Sequence, residues 1–157
     1  MIGCLVFVAG LCGFASVEMG WPYATKIAAK AHFPGRGFAE EIRGRWRERY
    51  RQPLRYVIGD TRTGGNIAYF TPERPHLLID GNYEISPWID PEEVRKRGAV
   101  IVWCMSDCGV ANEPADLRSE FPTAEVQPAL TLARETIMPE PPATIGWAIL
   151  APAKARP

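Results

Sequence analysis

Apolar residues recur every four positions between residues 37 and 51, which is the spacing of one face of an α-helix. The stripe consists of Phe38, Ile42, Trp46 and Tyr50, and most positions between them carry glutamate or arginine. The glutamates lie early and the arginines late, as the helix dipole favours. The pattern predicts an amphipathic helix that ends before Pro53.

Four short apolar runs have instead the length and the flanking residues of β-strands. They span residues 54–59, 76–80, 99–103 and 145–150. The third run is apolar throughout, which is typical of a strand that is covered on both faces. In the last run Ile145, Trp147 and Ile149 alternate with other residues, which predicts a half-exposed strand.

Helices are predicted between these strands, because the first strand ends in a Gly-Asp turn of the kind that opens a helix in an α/β unit. They span residues 61–70, 91–97 and 113–121, and a further short helix is predicted over 24–33. Asp90 is a good N-cap, Pro91 is a good first helical residue, and Gly98 ends that helix. Residues 124–142 are rich in proline and are predicted to be irregular.

The order strand, helix, strand, helix, strand predicts an α/β fold: a small, mostly parallel sheet flanked by helices. The last strand is expected at an antiparallel edge. A chain of 157 residues has the length of one domain with a core of ordinary size.

The N-terminus carries an uncharged apolar run over residues 2–17, which Glu18 ends. A membrane-spanning helix needs about 20 apolar residues, with about 17 as the lower limit. No basic residue precedes the run, which argues against a signal peptide. The run is therefore the end of a transmembrane helix, a short membrane anchor or a buried core helix. We expect a hydrophobic helix over 1–20, an α/β domain over 21–152 and a disordered tail over 153–157.

The charges argue against a nucleic-acid partner, because 18 basic and 18 acidic residues give a net charge of zero. Arginines at five positions between 43 and 51 either contact anionic headgroups or phosphates, or form a solvated face. The only histidines, His32 and His76, are far apart in sequence, which argues against a histidine-built metal site. We predict no metal and no cofactor.

The cysteines at 104 and 108 have a spacing that is not typical of a zinc or thioredoxin motif. The simplest interpretation is two unpaired, partly buried thiols. The alternative is a disulfide across this loop, which requires an oxidising compartment.

The turn after residue 59 lies where open α/β sheets bind ligands, at the carboxyl end of a strand. Asp80 ends the next strand and Asp107 follows the third, so both are expected on the same rim as Asp60. Such a rim binds a metal or sugar hydroxyls, with Trp88 or Trp103 stacking on a sugar ring. Alternatively, Asp60 caps the following helix, Asp80 has a structural role and Trp103 packs in the core. The candidate binding residues are Asp60, Asn66, Asp80 and Trp88.

Catalytic motifs are absent from the sequence. Neither the G-x-G-x-x-G pattern nor the G-x-x-x-x-G-K-[ST] phosphate loop occurs, and no serine or cysteine lies in a nucleophile elbow. No catalytic residue is predicted from these patterns.

Residues 53–103 carry an ordered series of motifs. A strand ends in "VIGD", "GNIAYF" opens a helix, "PERP" precedes a strand that ends in Asp, and "SPWID", "RKRGA" and "VIVW" follow. This series, with the closing "IGWAILAP", resembles the C-terminal extramembrane domain of bacterial family 39-like glycosyltransferases. Those are multi-pass membrane enzymes of the protein-mannosyltransferase and aminoarabinose-transferase type.

The resemblance implies a C-terminal periplasmic module of a GT-C-type enzyme at the bacterial inner membrane, with a polyprenyl-phosphate-linked sugar as donor. It implies that residues 2–17 end a transmembrane helix and that the partners are the membrane and the missing transmembrane portion. The family's catalytic acid lies in a loop without counterpart here, so the module is expected to be non-catalytic by itself. The alternatives are a free-standing, membrane-anchored sugar- or protein-binding module and a small enzyme that uses Asp60 and Asp80.

Overall fold

The computed structural model describes residues 32–106, 117–134, 136 and 139–153, and it has four helices and five strands within those ranges. In chain order the elements are α1 (Gly35–Tyr50), β1 (Tyr56–Gly59), α2 (Thr63–Phe70), β2 (His76–Ile79), α3 (Pro91–Arg97), β3 (Ala99–Cys104), α4 (Leu117–Glu120), β4 (Glu125–Leu132) and β5 (Ala143–Leu150).

The strands form one sheet in the order β2-β1-β3-β5-β4. Strand β1 pairs in parallel with both β2 and β3, whereas β5 pairs antiparallel with both β3 and β4. The α/β class is confirmed, but the sheet is mixed rather than mostly parallel. The reason is that β4 and β5 form an antiparallel pair, and β5 adds to β3 in the opposite direction.

The position of β5 corrects two predictions about the last strand. It is antiparallel, as expected, but it lies inside the sheet between β3 and β4 rather than at an edge. It is also buried on both faces, since Ile145, Trp147, Ala148 and Ile149 are each at most 2% exposed. The alternation in the sequence gave no sign of this, because glycine and alanine occupy the second face.

Strand β4 lies in the segment that was predicted to be irregular. Pro128 falls inside it, and the pairing with β5 shifts by one residue between Gln127 and Leu130, which is a β-bulge. The indole N–H of Trp147 donates to the carbonyl oxygen of Pro128 at 2.9 Å. A proline is tolerated there because β4 is an edge strand and a bulge leaves a residue out of the ladder.

Helix α1 confirms the predicted stripe. Phe38, Ile42 and Trp46 are fully buried, and Tyr50 is partly buried. Helices α1 and α2 together cover one face of the sheet, where their buried side chains pack on Val57 and neighbouring strand residues. Burial of this stripe is what holds α1, because packing of an amphipathic face stabilises helices more than intrinsic propensity does.

Helix α3 covers the opposite face of the sheet. The side chain of Asp90 accepts a hydrogen bond from the backbone of Glu92 at 2.9 Å, so the predicted N-cap is confirmed. Val94 packs there with Ile58, Ile101 and Trp103. Because the helices after β1 and β2 lie on opposite faces, a crevice is left at the carboxyl ends of β1 and β3.

The apolar run over residues 2–17 lies outside the described residues, as do most of the predicted helix over 24–33 and the end of the tail. In the part of the chain that the structure describes, no helix is long and apolar enough to cross a membrane.

Candidate functional site

A cavity of about 160 Å³ lies at the carboxyl ends of the three parallel strands. Its apolar floor comes from β1 and β3, and the last residue of α4 together with the residue after it closes one side. The residues that line it are Ile58, Gly59, Asp60, Asp80, Gly81, Ile101, Val102, Trp103, Glu120 and Phe121. Two of the predicted site residues, Asp60 and Asp80, are thus brought together as expected.

Asp60 caps α2, which was one of its two predicted roles. Its Oδ1 accepts hydrogen bonds from the backbone N–H of Arg62 at 2.8 Å and of Thr63 at 2.7 Å. Its carbonyl oxygen accepts from Gly64 at 2.9 Å and Gly65 at 3.3 Å. These contacts occupy the N–H groups of residues 62–65 at the start of α2, so those donors are not free to bind a phosphate.

The second carboxylate oxygen of Asp60, Oδ2, takes no part in capping α2. The structure gives Oδ2 no hydrogen-bond donor within the described part of the chain. The side chain is half-buried and lines the cavity. One oxygen therefore stabilises α2 while the other remains available to a ligand.

Asp80 and Gly81 turn the chain at the end of β2. Both have left-handed backbone, with φ of 50° at Asp80 and 72° at Gly81, and aspartate is one of the residues that tolerates it. The Asp80 N–H donates to the carbonyl oxygen of Gly59 at 3.0 Å, which holds the turn against the end of β1. The exposed Asp80 carboxylate makes no hydrogen bond among the described residues.

Glu120 supplies a third carboxylate, and the sequence did not predict it. A Cβ atom built at Gly81 would lie 2.8 Å from Glu120 Oε2, so this carboxylate rests directly against the turn after β2. The sequence gives only a weak indication that Glu120 lies here. The chain leaves β3 at the edge of the sheet where the cavity lies, so a segment soon after β3 can contact that edge. Phe121, which lies beside Glu120 and lines the cavity, was missed for the same reason.

Glycines permit the close approach of the strands that form the cavity floor. A Cβ atom at Gly59 would lie 2.5 Å from the carbonyl oxygen of Val102, so β1 and β3 meet there only without a side chain. Trp103 is 7% exposed and its ring lies across Gly146 on β5. The tryptophan therefore packs in the core, as one interpretation predicted, and also forms a wall of the cavity.

The other two candidate residues lie outside the cavity lining. Asn66 is in α2, where its side-chain amide donates to the carbonyl oxygen of Arg62 at 2.7 Å and its Cβ faces Gly35. Trp88 is 60% exposed in the loop before α3. Asp107, which was expected on the same rim, lies outside the described residues.

The charge of the cavity is negative, since three carboxylates and no lysine or arginine are among its lining residues. The part of the chain that the structure describes has no group of three or more His, Cys, Asp or Glu side chains placed to hold a metal ion. Carboxylates over an apolar and aromatic floor suit ligands that combine hydroxyl or amino donors with an apolar surface.

The arginines of α1 pair with carboxylates of this chain. Arg43 donates to Glu73 at 2.8 and 3.0 Å, and Arg47 also contacts that carboxylate. Two further pairs join Arg45 to Glu41 at 3.6 Å and Arg49 to Glu125 at 2.7 Å. These pairs neutralise most of the cluster, which disfavours its interpretation as a surface for anionic headgroups or phosphates.

Cys104, the last residue of β3, is disulfide-bonded, so its interpretation as an unpaired thiol is wrong. The other cysteine of this bond lies outside the described residues. The Cys104 Sγ also lies 2.9 Å from the carbonyl oxygen of Ser106. A disulfide sulfur carries no proton, so this is a close contact rather than a hydrogen bond.

Comparisons with protein-family models, with curated proteins and with solved structures find no match to this chain.

Proposed function

We propose that this chain is the C-terminal periplasmic module of a GT-C-type glycosyltransferase with a polyprenyl-phosphate-linked sugar donor, that it binds a sugar, and that it is non-catalytic by itself. The cavity at the carboxyl ends of β1, β2 and β3 carries the sugar-binding part of the proposal. The motif series in residues 53–103 supports the family.

The chemistry of the cavity suits a single sugar ring. A pyranose has hydroxyl donors around its edge and an apolar face of C–H groups. The carboxylates of Asp60, Asp80 and Glu120 would accept from the hydroxyls, while Trp103 and Phe121 would meet the apolar face. The volume of about 160 Å³ is below the range of about 300–1,000 Å³ that is usual for drug-sized ligands, so the cavity suits one ring.

The negative charge of the cavity decides which part of a lipid-linked substrate it can bind. A phosphate would meet three carboxylates and no lining cation, and like charges repel. The N–H groups that start α2 are already bonded to Asp60. The proposed ligand is therefore a neutral sugar or an amino sugar without a phosphate, and the donor, whose phosphate is attached directly to its sugar, would bind elsewhere in the enzyme.

Two further observations support a position at the periplasmic face of the membrane. The apolar run over residues 2–17 has nearly the length of a membrane span. The disulfide of Cys104 favours an oxidising compartment, where disulfides form and persist.

A free-standing, membrane-anchored sugar-binding module is the second candidate function. It is favoured by the apolar core that the described domain has of its own, with large side chains buried on both faces of the sheet. An adjacent reading frame that encodes many hydrophobic segments would favour the glycosyltransferase module, and an unrelated neighbourhood would favour the free-standing module.

Sugar binding is tested by titrating the full chain, in detergent, with methyl glycosides of neutral and amino sugars. The probes are ¹³C-labelled isoleucine methyl groups, because Ile58 and Ile101 line the cavity. We expect saturable shifts at these two methyls and no turnover of the glycoside.

Three variants, Asp60→Asn, Asp80→Asn and Glu120→Gln, remove the charges with little change in shape. Each should weaken binding about tenfold or more, because a hydrogen bond to a charged group contributes about 1.5–3 kcal/mol and 1.4 kcal/mol is tenfold. Glu84→Gln is the matched control, since Glu84 is exposed and outside the lining. Binding that none of the three variants weakens would refute the proposed site.

A further inference from the structure

A second cavity adjoins the first and shares a wall with it. This groove has a volume of about 400 Å³, and Glu120 and Phe121 line both it and the cavity at the strand ends. The two volumes therefore meet along one pair of residues. Only these two residues are common to both linings, so a ligand that extends from the cavity into the groove would pass them.

The groove is largely apolar. Its apolar surface comes from Tyr83, Pro91, Val94, Phe121, Pro122 and Leu150. The charged residues Glu92 and Arg95 also line it, but they form an ion pair with each other. Because these two charges compensate, and the third charged residue, Glu120, is the one shared with the cavity, most of the groove suits an apolar or aromatic group rather than an ion.

Glu120 lies at the junction of the two volumes. On the cavity side its Oε2 rests against Gly81. On the groove side burial raises the pKa of the Tyr83 phenol, and the negative charge of Glu120 raises it further. Asp90 acts in the same direction and Arg95 opposes it. The carboxylate is thus near both the turn after β2 and the aromatic wall of the groove.

We propose that the ligand is a glycoside with an apolar aglycone, whose sugar ring occupies the cavity and whose aglycone lies in the groove, with Glu120 between them. The inference rests on the proposed sugar-binding function. It adds the chemical class of the group attached to the sugar.

The test compares methyl and phenyl glycosides of the same sugar, titrated into the full chain with the isoleucine methyl probes. We expect the phenyl glycoside to bind about tenfold more tightly, because burying an aromatic ring removes a large apolar area from water. Thr123→Trp fills the groove from an exposed lining position and should abolish this preference while leaving the methyl glycoside unchanged. Ala129→Trp is the matched control, since Ala129 is exposed on β4 and lines neither volume.

The outcomes separate this inference from the function on which it rests. If both glycosides bind equally and the cavity variants weaken both, the sugar site stands and the aglycone site is refuted. If the phenyl preference survives Thr123→Trp, the aglycone does not lie in the groove and the inference is also refuted. If neither glycoside shifts the probes, the sugar-binding function itself fails.

Discussion

Asp60 serves the fold and the cavity with different atoms of one side chain. Its Oδ1 accepts two backbone hydrogen bonds at the start of α2, and its Oδ2 has no donor in the described part of the chain. Asparagine keeps an oxygen that accepts the same bonds, whereas alanine keeps none. Substitution at this position therefore separates stability from ligand binding.

We expect Asp60→Ala to lower the free energy of unfolding by about 1–2 kcal/mol, as loss of a helix cap does, and Asp60→Asn to change it by less than about 0.5 kcal/mol. Urea unfolding of the full chain measures both. Equal stability of the alanine variant and the unsubstituted chain would mean that the observed capping contacts contribute nothing.

Glu73 joins the segment before β2 to α1. Its side chain is 11% exposed and it contacts both Arg43 and Arg47. Burial alone would raise the pKa of Glu73, but the hydrogen bond from Arg43 and the charges of both arginines outweigh burial and lower it. The folded state thus favours the ionised form more strongly than the unfolded chain does.

A lowered pKa in the folded state gives stabilisation that is present above the unfolded pKa, which is about 4.3 for glutamate. That stabilisation is lost as the pH falls through the folded value. We expect the unfolding free energy of the unsubstituted chain to fall more steeply below this pH than that of Glu73→Gln, measured by urea unfolding across a pH series. Glu48→Gln, on the exposed face of the same helix, should keep the steep dependence. Parallel curves for Glu73→Gln and the unsubstituted chain would contradict the assignment.

Among the glycines of the described residues, Gly146 of β5 has the least space for a side chain, because the ring of Trp103 of β3 lies across it. A Cβ atom at Gly146 would lie 2.1 Å from the indole ring, which is far inside a van der Waals contact. The same ring lines the cavity, so this contact sets the position of a cavity wall. Packing between two strands and the shape of the site are therefore coupled at one glycine.

We expect Gly146→Ala to destabilise the protein by about 1–3 kcal/mol, the usual cost of overpacking a core, and to weaken glycoside binding because Trp103 must move. Gly44→Ala is the contrasting control, since Gly44 is in α1 with nothing within 4 Å of the added Cβ. That variant should be more stable by about 0.5–1 kcal/mol, because alanine favours a helix over glycine. Thermal and urea unfolding measure the stability of both variants. A Gly146→Ala variant as stable as the unsubstituted chain would refute the tight contact.

At the scale of the whole molecule, the proposed position at a membrane concerns residues outside the described part. The described residues contain no span, so attachment would depend on the apolar run over 2–17. The described domain supplies its own apolar core, with large side chains buried on both faces of the sheet.

We expect the full chain to stay in the membrane pellet after carbonate extraction, and a chain that begins at residue 21 to be released and to fold. Cell fractionation with immunoblotting and circular dichroism are the measurements. A full chain that is extracted by carbonate, together with a shortened chain that fails to fold, would mean that the run is a core helix and would refute the anchor.

The sequence by itself determined most of the local structure. Helix α1 followed from its four-residue stripe, α3 from Asp90 and Pro91, and β3 from its continuous apolar run. It also placed Asp60 and Asp80 on one rim, because carboxyl ends of parallel strands share an edge. These inferences succeed because they depend on periodicity and on neighbours a few residues apart.

Only the tertiary structure decided the parts that depend on distant pairing. Strand β4 was missed because Pro128 is a local argument against a strand, and pairing with β5 overrides it through a bulge. The same pairing buries β5 inside the sheet, although the alternation in its sequence predicts a half-exposed strand. Glu120 enters the cavity because the chain returns to the strand ends after β3, and no local pattern encodes that return. Sequence periodicity records which face of an element is apolar, whereas the identity of its neighbours is decided when the whole chain packs.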